Sequence, residues 1–247
     1  SFENEENGFQ KLKHTIRPKI VYTYIPDDDQ SDLPSFDGVD RVGKSNTIAY
    51  SINTILTGKF LEDKNTYTRD LVYLDISQSY DINEATRDYT SPIDKRKPFS
   101  DVTAELILKP FWWMTVTARG QYDVYDNWLE RYDESLSLSD KRGDSLGATH
   151  RYIRNDIEYL EAWARIKATE SIDLTYRNRY SYNSNEKIET NYGLDYHKQC
   201  WGAILTYTDR LEEKIFMITF NLLGLGDVGS FRKGIVDEKP GLTTTGK

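Results

Sequence analysis

The stretch Trp112–Asp123, WWMTVTARGQYD, shows the alternation that decides the fold. Apolar or small residues stand at every second position: Trp112, Met114, Val116, Ala118, Gly120 and Tyr122. The positions between them are mostly hydrophilic. A period of two places successive side chains on opposite faces of a strand, whereas an amphipathic helix needs a period near 3.6. The stretch therefore predicts a β-strand with one apolar and one hydrophilic face.

The same alternation recurs along the chain and predicts an all-β protein of about twelve strands. The predicted strands are 14–24, 46–57, 66–80, 99–108, 112–125, 128–139, 145–153, 157–167, 172–183, 188–196, 201–208 and 214–223. Each strand leads directly into the next, and no helical segment is expected between them. Neighbouring strands are therefore expected to pair antiparallel, as a meander.

The predicted connections differ in length between the two ends of the strands. Most even-numbered connections are tight turns, whereas the odd-numbered ones include two long loops, 25–45 and 81–98. Tight turns at one end and longer loops at the other are typical of a transmembrane β-barrel of the outer membrane. Aromatic residues near strand ends on the apolar face favour the same interpretation: Trp112, Tyr122, Tyr180, Tyr182, Tyr196 and Trp201. A soluble β-sandwich or up-and-down barrel is the alternative.

Composition narrows the classes of function. The 247 residues carry a formal net charge of −8, and we expect no dense stripe of Lys and Arg. This argues against nucleic acid and against bulk phosphate binding. The mean hydropathy of −0.69 and the absence of an apolar run of roughly 18 to 20 residues exclude helical membrane spans. A single Cys excludes an internal disulfide.

Two stretches resemble the LptD family of lipopolysaccharide-assembly proteins of the outer membrane. The first is HTIRPKIVYTYIPDDDQSDLPSFDGVDRVGKSNTIAYSI, His14 to Ile52, and the second is QCWGAILTYTDRLEEKIFMITFNLLGLGDVG, Gln199 to Gly229. Between them the similarity is mainly one of alternating pattern, with an Arg-Gly-Asp-Ser turn at Arg142–Ser145. The resemblance implies that residues 1–230 are the C-terminal half of a larger closed barrel, of about 26 strands in the family. Residues 231–247 are expected to be a flexible polar tail.

The resemblance also implies a function and partners. Members of the family pass lipopolysaccharide through a polar barrel lumen and release it sideways into the outer leaflet of the Gram-negative outer membrane. The implied partners are lipopolysaccharide, a plug lipoprotein similar to LptE, a periplasmic bridge protein similar to LptA and the barrel-assembly machinery. No covalent bond changes in this process, so we expect a transporter without cofactor, metal or catalytic residue.

Three groups of site residues follow from the resemblance. The lateral seam is expected along the last strand, with these residues: Ile215, Phe216, Met217, Ile218, Thr219, Phe220, Asn221 and Leu222. A loop motif that folds into or over the lumen is expected at Gln30, Pro34, Phe36, Asp37, Asp40 and Arg41. Cys200 is a disulfide candidate, with a Cys outside this chain as its partner, because relatives commonly carry two adjacent Cys at this turn. Gln199 occupies the first of those positions here.

Three other functions remain open at this point. A general diffusion porin would show the same strand pattern, with a constriction loop and charged clusters across the pore. A barrel enzyme would need a His beside a nucleophile or carboxylate, and only His14, His150 and His197 are available. A soluble binding barrel would need no detergent for extraction. The acidic loop 25–45 could also hold a cation, although its spacing does not follow the calcium-binding loop.

The turn at Arg142 allows a prediction of register. Centring the hairpin on Arg142 places Glu134 directly opposite His150, two polar residues that fall on the apolar face of their strands. Directly opposed side chains lie about 4.5 to 5.5 Å apart at Cβ, which would let the pair tolerate a lipid-facing position. Alternatively, both residues stand above the bilayer in water, where neither needs a partner.

Overall fold

The structure, a computed structural model, describes residues 8–28, 43–62 and 64–222. The loop motif at Gln30, Pro34, Phe36, Asp37, Asp40 and Arg41 lies outside the described residues, and so does the tail 231–247. The described residues group into two compact units. The first lies within 1–112 and 116–134, and the second within 113–115 and 135–247.

The predicted all-β antiparallel meander is confirmed. Twelve strands form one sheet in the order of the sequence. Their bounds are β1 Gly8–Ile25, β2 Ser45–Glu62, β3 Asn65–Asp81, β4 Val102–Leu108, β5 Met114–Asp123, β6 Trp128–Ser139, β7 Ser145–Ile153, β8 Ile157–Thr169, β9 Ile172–Ser181, β10 Glu186–His197, β11 Trp201–Arg210 and β12 Lys214–Leu222. The sheet is open: no pairing joins β12 to β1 among these residues.

Several strand bounds differ from the prediction: β2 ends at Glu62 and not at 57, and β4 begins at Val102 and not at 99. Two further differences concern β1 and the predicted loop 81–98. β1 begins at Gly8, six residues before the predicted start at His14, because Gly8–Lys13 continue the ladder with β2 across a bulge near Phe9. The predicted loop 81–98 contains a short helix, α1, over Ile82–Thr86. Asp81 caps this helix by accepting a hydrogen bond from the Glu84 backbone N–H. No helix within the described part of the chain is long and apolar enough to cross a membrane.

In the first unit, the register sorts side chains into an apolar and a polar face. Leu74 pairs with Leu106, and Leu106 pairs with Ala118, so these aliphatic side chains share the apolar face. One residue along, Asp75 pairs with Glu105, which pairs with Arg119 on the polar face. The alternation in the sequence is thus continued across strands by the ladder.

The second unit shows the same two faces across β8–β12. Ile166, Leu174 and Leu194 follow one another in register on the apolar face, and the row continues to Leu205 and Ile218. Glu161 pairs with Arg179, which pairs with Glu189 and then Arg210, on the polar face. A slip of one residue would exchange the two sets, so burying either face fixes the register.

Several tight turns depend on residues in the left-handed backbone region. Asn127, Asn155 and Asn185 have φ of 58°, 56° and 55°, in the turns after β5, β7 and β9. Asn tolerates this region better than most side chains. In two of these turns the Asn side chain also accepts a hydrogen bond from a tyrosine at the end of the preceding strand. Tyr122 Oη lies 3.3 Å from Asn127 Oδ1, and Tyr180 Oη 2.6 Å from Asn185 Oδ1.

The turn between β6 and β7 closes with the predicted register. The Asp140 backbone N–H donates to the Asp144 carbonyl at 2.9 Å, and Asp140 Oδ1 accepts from the backbone N–H groups of Arg142, Gly143 and Asp144. The pair that closes the turn is therefore centred on Arg142. Direct pairing of Glu134 with His150 stays a prediction. His150 has a neighbour on β8, with Nε2 3.4 Å from Glu158 Oε1.

The long connection 82–101 is held together by an ion-pair cluster around Arg87. Its guanidinium contacts Glu84 Oε2 and Asp94 Oδ2, both at 2.5 Å. Asp94 also accepts hydrogen bonds from Thr90. The Arg87 hydrogen bond lowers the pKa of Asp94 well below its ordinary value, with a further contribution from the Thr90 backbone. The same guanidinium, helped by the Lys97 backbone N–H, lowers the pKa of Glu84. We call Arg87, Glu84 and Asp94 the loop clamp.

Gly147 of β7 lies where another strand and an indole ring approach closely. A Cβ at this position would stand 2.6 Å from the Leu136 carbonyl oxygen and 2.7 Å from Trp163 Cζ2. Trp163 pairs directly with Gly147 and covers it from β8. Only a residue without a side chain allows this contact.

We expect Gly147→Ala to destabilise the protein by about 1 to 3 kcal/mol, because the new methyl group meets backbone and a ring that cannot both move away. Gly120→Ala on β5 is the matched control, since its nearest neighbour would be Leu129 Cδ2 at 3.9 Å. The measurement is the urea concentration at the midpoint of unfolding. The folded fraction is detected by heat-modifiable migration in electrophoresis. Equal midpoints for the two variants would contradict the close approach at Gly147.

We expect Arg87→Ala to loosen the connection 82–101, because both carboxylates of the loop clamp lose their partner. The measurement is the rate of chymotrypsin cleavage after Tyr89, which is 62% exposed. Lys95→Ala removes an exposed charge in the same connection and should leave the rate unchanged. In the unsubstituted protein the lowered pKa of Asp94 keeps the clamp intact at neutral and mildly acidic pH, and the clamp is lost only well below the ordinary Asp value of 3.8. An unchanged rate for Arg87→Ala would show that other contacts hold the loop.

Candidate functional site: a two-faced sheet beside its last strand

The apolar face of the second unit is arranged in rows that cross the strands. One row is aromatic: Tyr176, Tyr192, Tyr207 and Phe216 are successive register partners on β9 to β12. The ring centroids of Tyr176 and Tyr192 are 5.3 Å apart, and those of Tyr192 and Tyr207 are 6.2 Å apart. These spacings lie in the range of favourable aromatic contacts.

The apolar rows have a polar border at one end and an aromatic pair at the other. Next to the aromatic row, Asp209 Oδ2 accepts from Lys187 Nζ at 2.6 Å and Asp209 pairs in register with Lys214. At the opposite end, Tyr196 and Trp201 have ring centroids 5.2 Å apart. The aliphatic rows thus lie between aromatic residues at both ends, with charged residues beyond the aromatic row. The lipid-facing surface of a membrane barrel has this arrangement.

β12 carries the predicted seam residues, Ile215, Phe216, Met217, Ile218, Thr219, Phe220, Asn221 and Leu222. Phe216, Ile218, Phe220 and Leu222 share the apolar face, opposite Tyr207, Leu205, Ala203 and Trp201 of β11. They are 63%, 48%, 72% and 68% exposed. Ile215, Met217, Thr219 and Asn221 fall on the other face.

The last strand is paired on one side within the described residues. β12 is described over nine residues, Lys214–Leu222, which is similar to β7 with nine and β5 with ten. Within residues 8–28, 43–62 and 64–222, its only sheet neighbour is β11. Its other edge presents backbone groups and large apolar side chains to whatever lies next to it. The seam role of this strand itself stays a prediction.

The polar face of the second unit carries a network of paired charges. Arg179 Nη2 lies 2.7 Å from Glu161 Oε2, and Arg210 Nε lies 3.2 Å from Glu189 Oε2. The carboxylate side chains of Glu161 and Glu189 are only 13% exposed, so each depends on its guanidinium partners. A second pair joins Arg165 to Asp173 at 2.5 Å. The charges of this face largely neutralise one another across β8–β11.

The polar face of the first unit is rich in hydroxyl and amide groups. A groove of about 590 Å³ lies across β1–β5, and its lining includes Lys19, Ser51, Ser77, Ser79, Thr103 and Gln121. Hydrogen bonds fix several of these groups: Ser77 Oγ lies 2.7 Å from Thr103 Oγ1, and Gln121 Nε2 donates to Asp101 Oδ2 at 2.6 Å. This groove did not stand out in the sequence, because its residues come from distant strands and are ordinary polar positions in each.

Cys200 lies in the turn between β10 and β11, and its side chain is exposed and free. The Lys198 backbone N–H donates to the Trp201 carbonyl at 2.9 Å and closes the turn. The pairing of Cys200 with a Cys outside this chain stays a prediction.

Each of the three histidines has a local contact. His14 Nε2 lies 2.5 Å from Thr54 Oγ1, His150 Nε2 3.4 Å from Glu158 Oε1, and His197 Nδ1 3.8 Å from Asp195 Oδ1. These contacts lie on different strands. Among the described residues, no group of three or more His, Cys, Asp or Glu is placed to hold a metal ion.

Comparison with known proteins agrees with the resemblance in the sequence. Residues 2–165 match the family model LptD, described as LPS transport system D. The LPS-assembly protein LptD of Hahella chejuensis is 24% identical over 254 residues, which cover 89% of this chain and 30% of that protein. The LptD of Thiobacillus denitrificans is also 24% identical, over 89% of this chain and 32% of its own length.

A third relative, the LPS-assembly protein LptD of Neisseria meningitidis serogroup A, is 24% identical over 76% of this chain and 27% of its own length. The chain thus spans about a third of the length of the curated relatives it matches. The family model nevertheless covers more than half of this chain. The chain belongs to the LptD family.

Proposed function

We propose that this chain is part of an outer-membrane barrel that transports and assembles lipopolysaccharide. The observation that carries the proposal is the division of the sheet into two faces. Rows of aliphatic and aromatic side chains cover one face of β8–β12, and paired charges cover the other. An amphiphile with a charged saccharide and several acyl chains needs both kinds of surface.

The polar face faces the lumen in this proposal, and the apolar face meets lipid. Polar saccharide passes along hydroxyl, amide and charged groups, which replace part of its hydration. The acyl chains cannot remain among such groups and must leave between two strands. The transfer changes no covalent bond, so the protein acts as a transporter and not as an enzyme.

The exit lies at the free edge of β12. In a closed barrel this strand pairs with the first strand of the full-length protein. No turn or loop joins these two strands directly, so they can separate by breaking only the hydrogen bonds between them. The exposed Phe216, Phe220 and Leu222 supply an apolar surface along which acyl chains move.

The partners follow from the same proposal. A plug lipoprotein similar to LptE occupies the lumen, and a periplasmic bridge protein similar to LptA delivers lipopolysaccharide to a part of the protein outside this chain. The barrel-assembly machinery inserts the barrel into the outer membrane. Cys200 forms a disulfide with a Cys outside this chain, on the periplasmic side, where the compartment is oxidising.

We expect a disulfide between β12 and the first strand of the full-length barrel to stop lipopolysaccharide export, because acyl chains lose their exit. Cys at position 219 with a Cys scan of the first strand supplies the crosslinks, and surface lipopolysaccharide in cells is the measurement. A disulfide between positions 205 and 218, which are register partners on β11 and β12, is the matched control and should leave export intact. Normal export through a verified seam crosslink would remove lateral release at β12.

We expect Cys200 to link two parts of the full-length protein covalently. A protease site engineered between its periplasmic domain and its barrel allows the two pieces to be separated. They should stay together in non-reducing electrophoresis and separate with reductant, and Cys200→Ser should abolish the link. Separation of the unsubstituted pieces without reductant would exclude the bridge.

A further inference from the structure

A row of cations runs along the polar face of β1. Lys11, Lys13, Arg17 and Lys19 occupy alternate positions of the strand, interrupted only by Thr15, and all four are exposed. Neighbours in the row at i and i+2 are separated by about 6.6 to 6.8 Å along the strand. We call these four residues the cationic row.

The cationic row contradicts the expectation that the chain has no basic stripe. Two features conceal it in the sequence. The predicted first strand begins at His14, so that Lys11 and Lys13 fall outside it, whereas the observed β1 begins at Gly8. The cations are also separated by apolar residues that belong to the opposite face. Only the strand places the four charges side by side.

Within residues 8–28, 43–62 and 64–222, few carboxylates lie beside the row. β1 contains no acidic residue, and β2 contains only Glu62, at its end, while adding the exposed cation Lys59, the register partner of Lys11. Asp70 and Asp75 are on β3, with their backbone two strand spacings or about 9.6 Å away, and Asp101 lines the same groove as Lys19. Across the described part of the chain, none of the four cations forms an ion pair.

This isolation is unusual for this protein, whose net charge is −8. Arg119 is paired with Glu105 on the same face, and Arg165, Arg179 and Arg210 are paired on the polar face of the second unit. Four like charges in one row repel one another, and the repulsion grows where a lumen limits solvent screening. An anionic ligand would relieve it.

The groove next to the row has the complementary chemistry for sugar. Lys19 lies at its edge, and Ser51, Ser77, Ser79, Thr103 and Gln121 contribute hydroxyl and amide groups. Such groups donate and accept hydrogen bonds, as sugar hydroxyls require. A phosphate binds Lys and Arg through charge-assisted hydrogen bonds, and Arg17 can contact two of its oxygens at once.

We propose that the cationic row binds the phosphate groups of a phosphorylated saccharide headgroup while the adjacent hydroxyl-lined groove holds its sugar rings. The inference rests on the proposed function and deepens it, since it assigns to β1–β5 a binding site for the headgroup of the transported lipid. The row extends over about 26 Å from Lys11 to Lys19, so it can hold phosphates on more than one sugar.

The test uses the full-length protein with its partners, carrying a photo-crosslinking amino acid at position 51, between the row and the groove. Crosslinking to intact lipopolysaccharide is compared with crosslinking to the same lipopolysaccharide after removal of its phosphates with hydrofluoric acid. We expect the yield to fall roughly tenfold, the effect of losing one charge-assisted hydrogen bond of ordinary strength. This comparison needs no substitution in the row and so does not depend on folding of a variant.

A pair of variants with equal change in charge gives the second measurement. Lys11→Gln, Lys13→Gln, Arg17→Gln and Lys19→Gln together should reduce crosslinking to intact lipopolysaccharide by a similar factor. Lys64→Gln, Lys95→Gln, Lys109→Gln and Lys198→Gln remove four exposed cations elsewhere and should not. Replacement of the three row lysines by Arg keeps the charge and should retain the yield. Heat-modifiable migration verifies that each variant is assembled.

A third arm adds inorganic phosphate at matched ionic strength. If the row binds the headgroup, most crosslinking to intact lipopolysaccharide should remain. Loss of this crosslinking would assign the row to free phosphate and overturn the proposal. Equal yields with intact and dephosphorylated lipopolysaccharide would also overturn it, as expected if acidic residues of a neighbouring strand neutralise the row. If surface lipopolysaccharide still depends on the protein in that case, the proposed function stands and only this inference fails.

Discussion

The antiparallel ladder is the interaction on which the rest of the structure depends. Each strand pairs with its successor, and the pairing fixes which side chains share a face. The period of two makes this arrangement strict, because a shift by one residue would move Leu205 to the polar face and Thr206 to the apolar face. The aromatic row from Tyr176 to Phe216 and the charge network around Glu161 and Glu189 are two results of one register.

The two faces are stabilised in different ways. On the apolar face the strands offer rings and aliphatic side chains that remain widely exposed in the chain alone, which is unfavourable in water and favourable in lipid. On the polar face the half-buried carboxylates are stable because guanidinium groups of neighbouring strands reach them. The pairing is cross-strand throughout, so it also holds the strands in register. The cationic row departs from this rule, and the departure is what makes it a candidate for an external ligand.

The turns and loops of the described chain hold the strands in position. Asn residues in the left-handed region allow turns of three or four residues after β5, β7 and β9, and the loop clamp orders a longer connection around a single Arg. Gly147 permits the close approach of β6, β7 and the Trp163 ring. These features position the faces. Among the described residues β12 pairs only with β11, and the seam role of its other edge belongs to the proposed function.

The sequence alone determined the fold class, the number and order of the strands and the apolar identity of the last one, because each depends on local alternation and on turn residues. It also showed the resemblance to the LptD family, in the stretches His14–Ile52 and Gln199–Gly229. It did not determine where β1 begins, the helix at Ile82–Thr86, the groove between Ser51 and Gln121 or the cationic row. These depend on which strands become neighbours and in which register, and residues as distant as Ser51, Ser77 and Gln121 form one surface only after the ladder has brought their strands together.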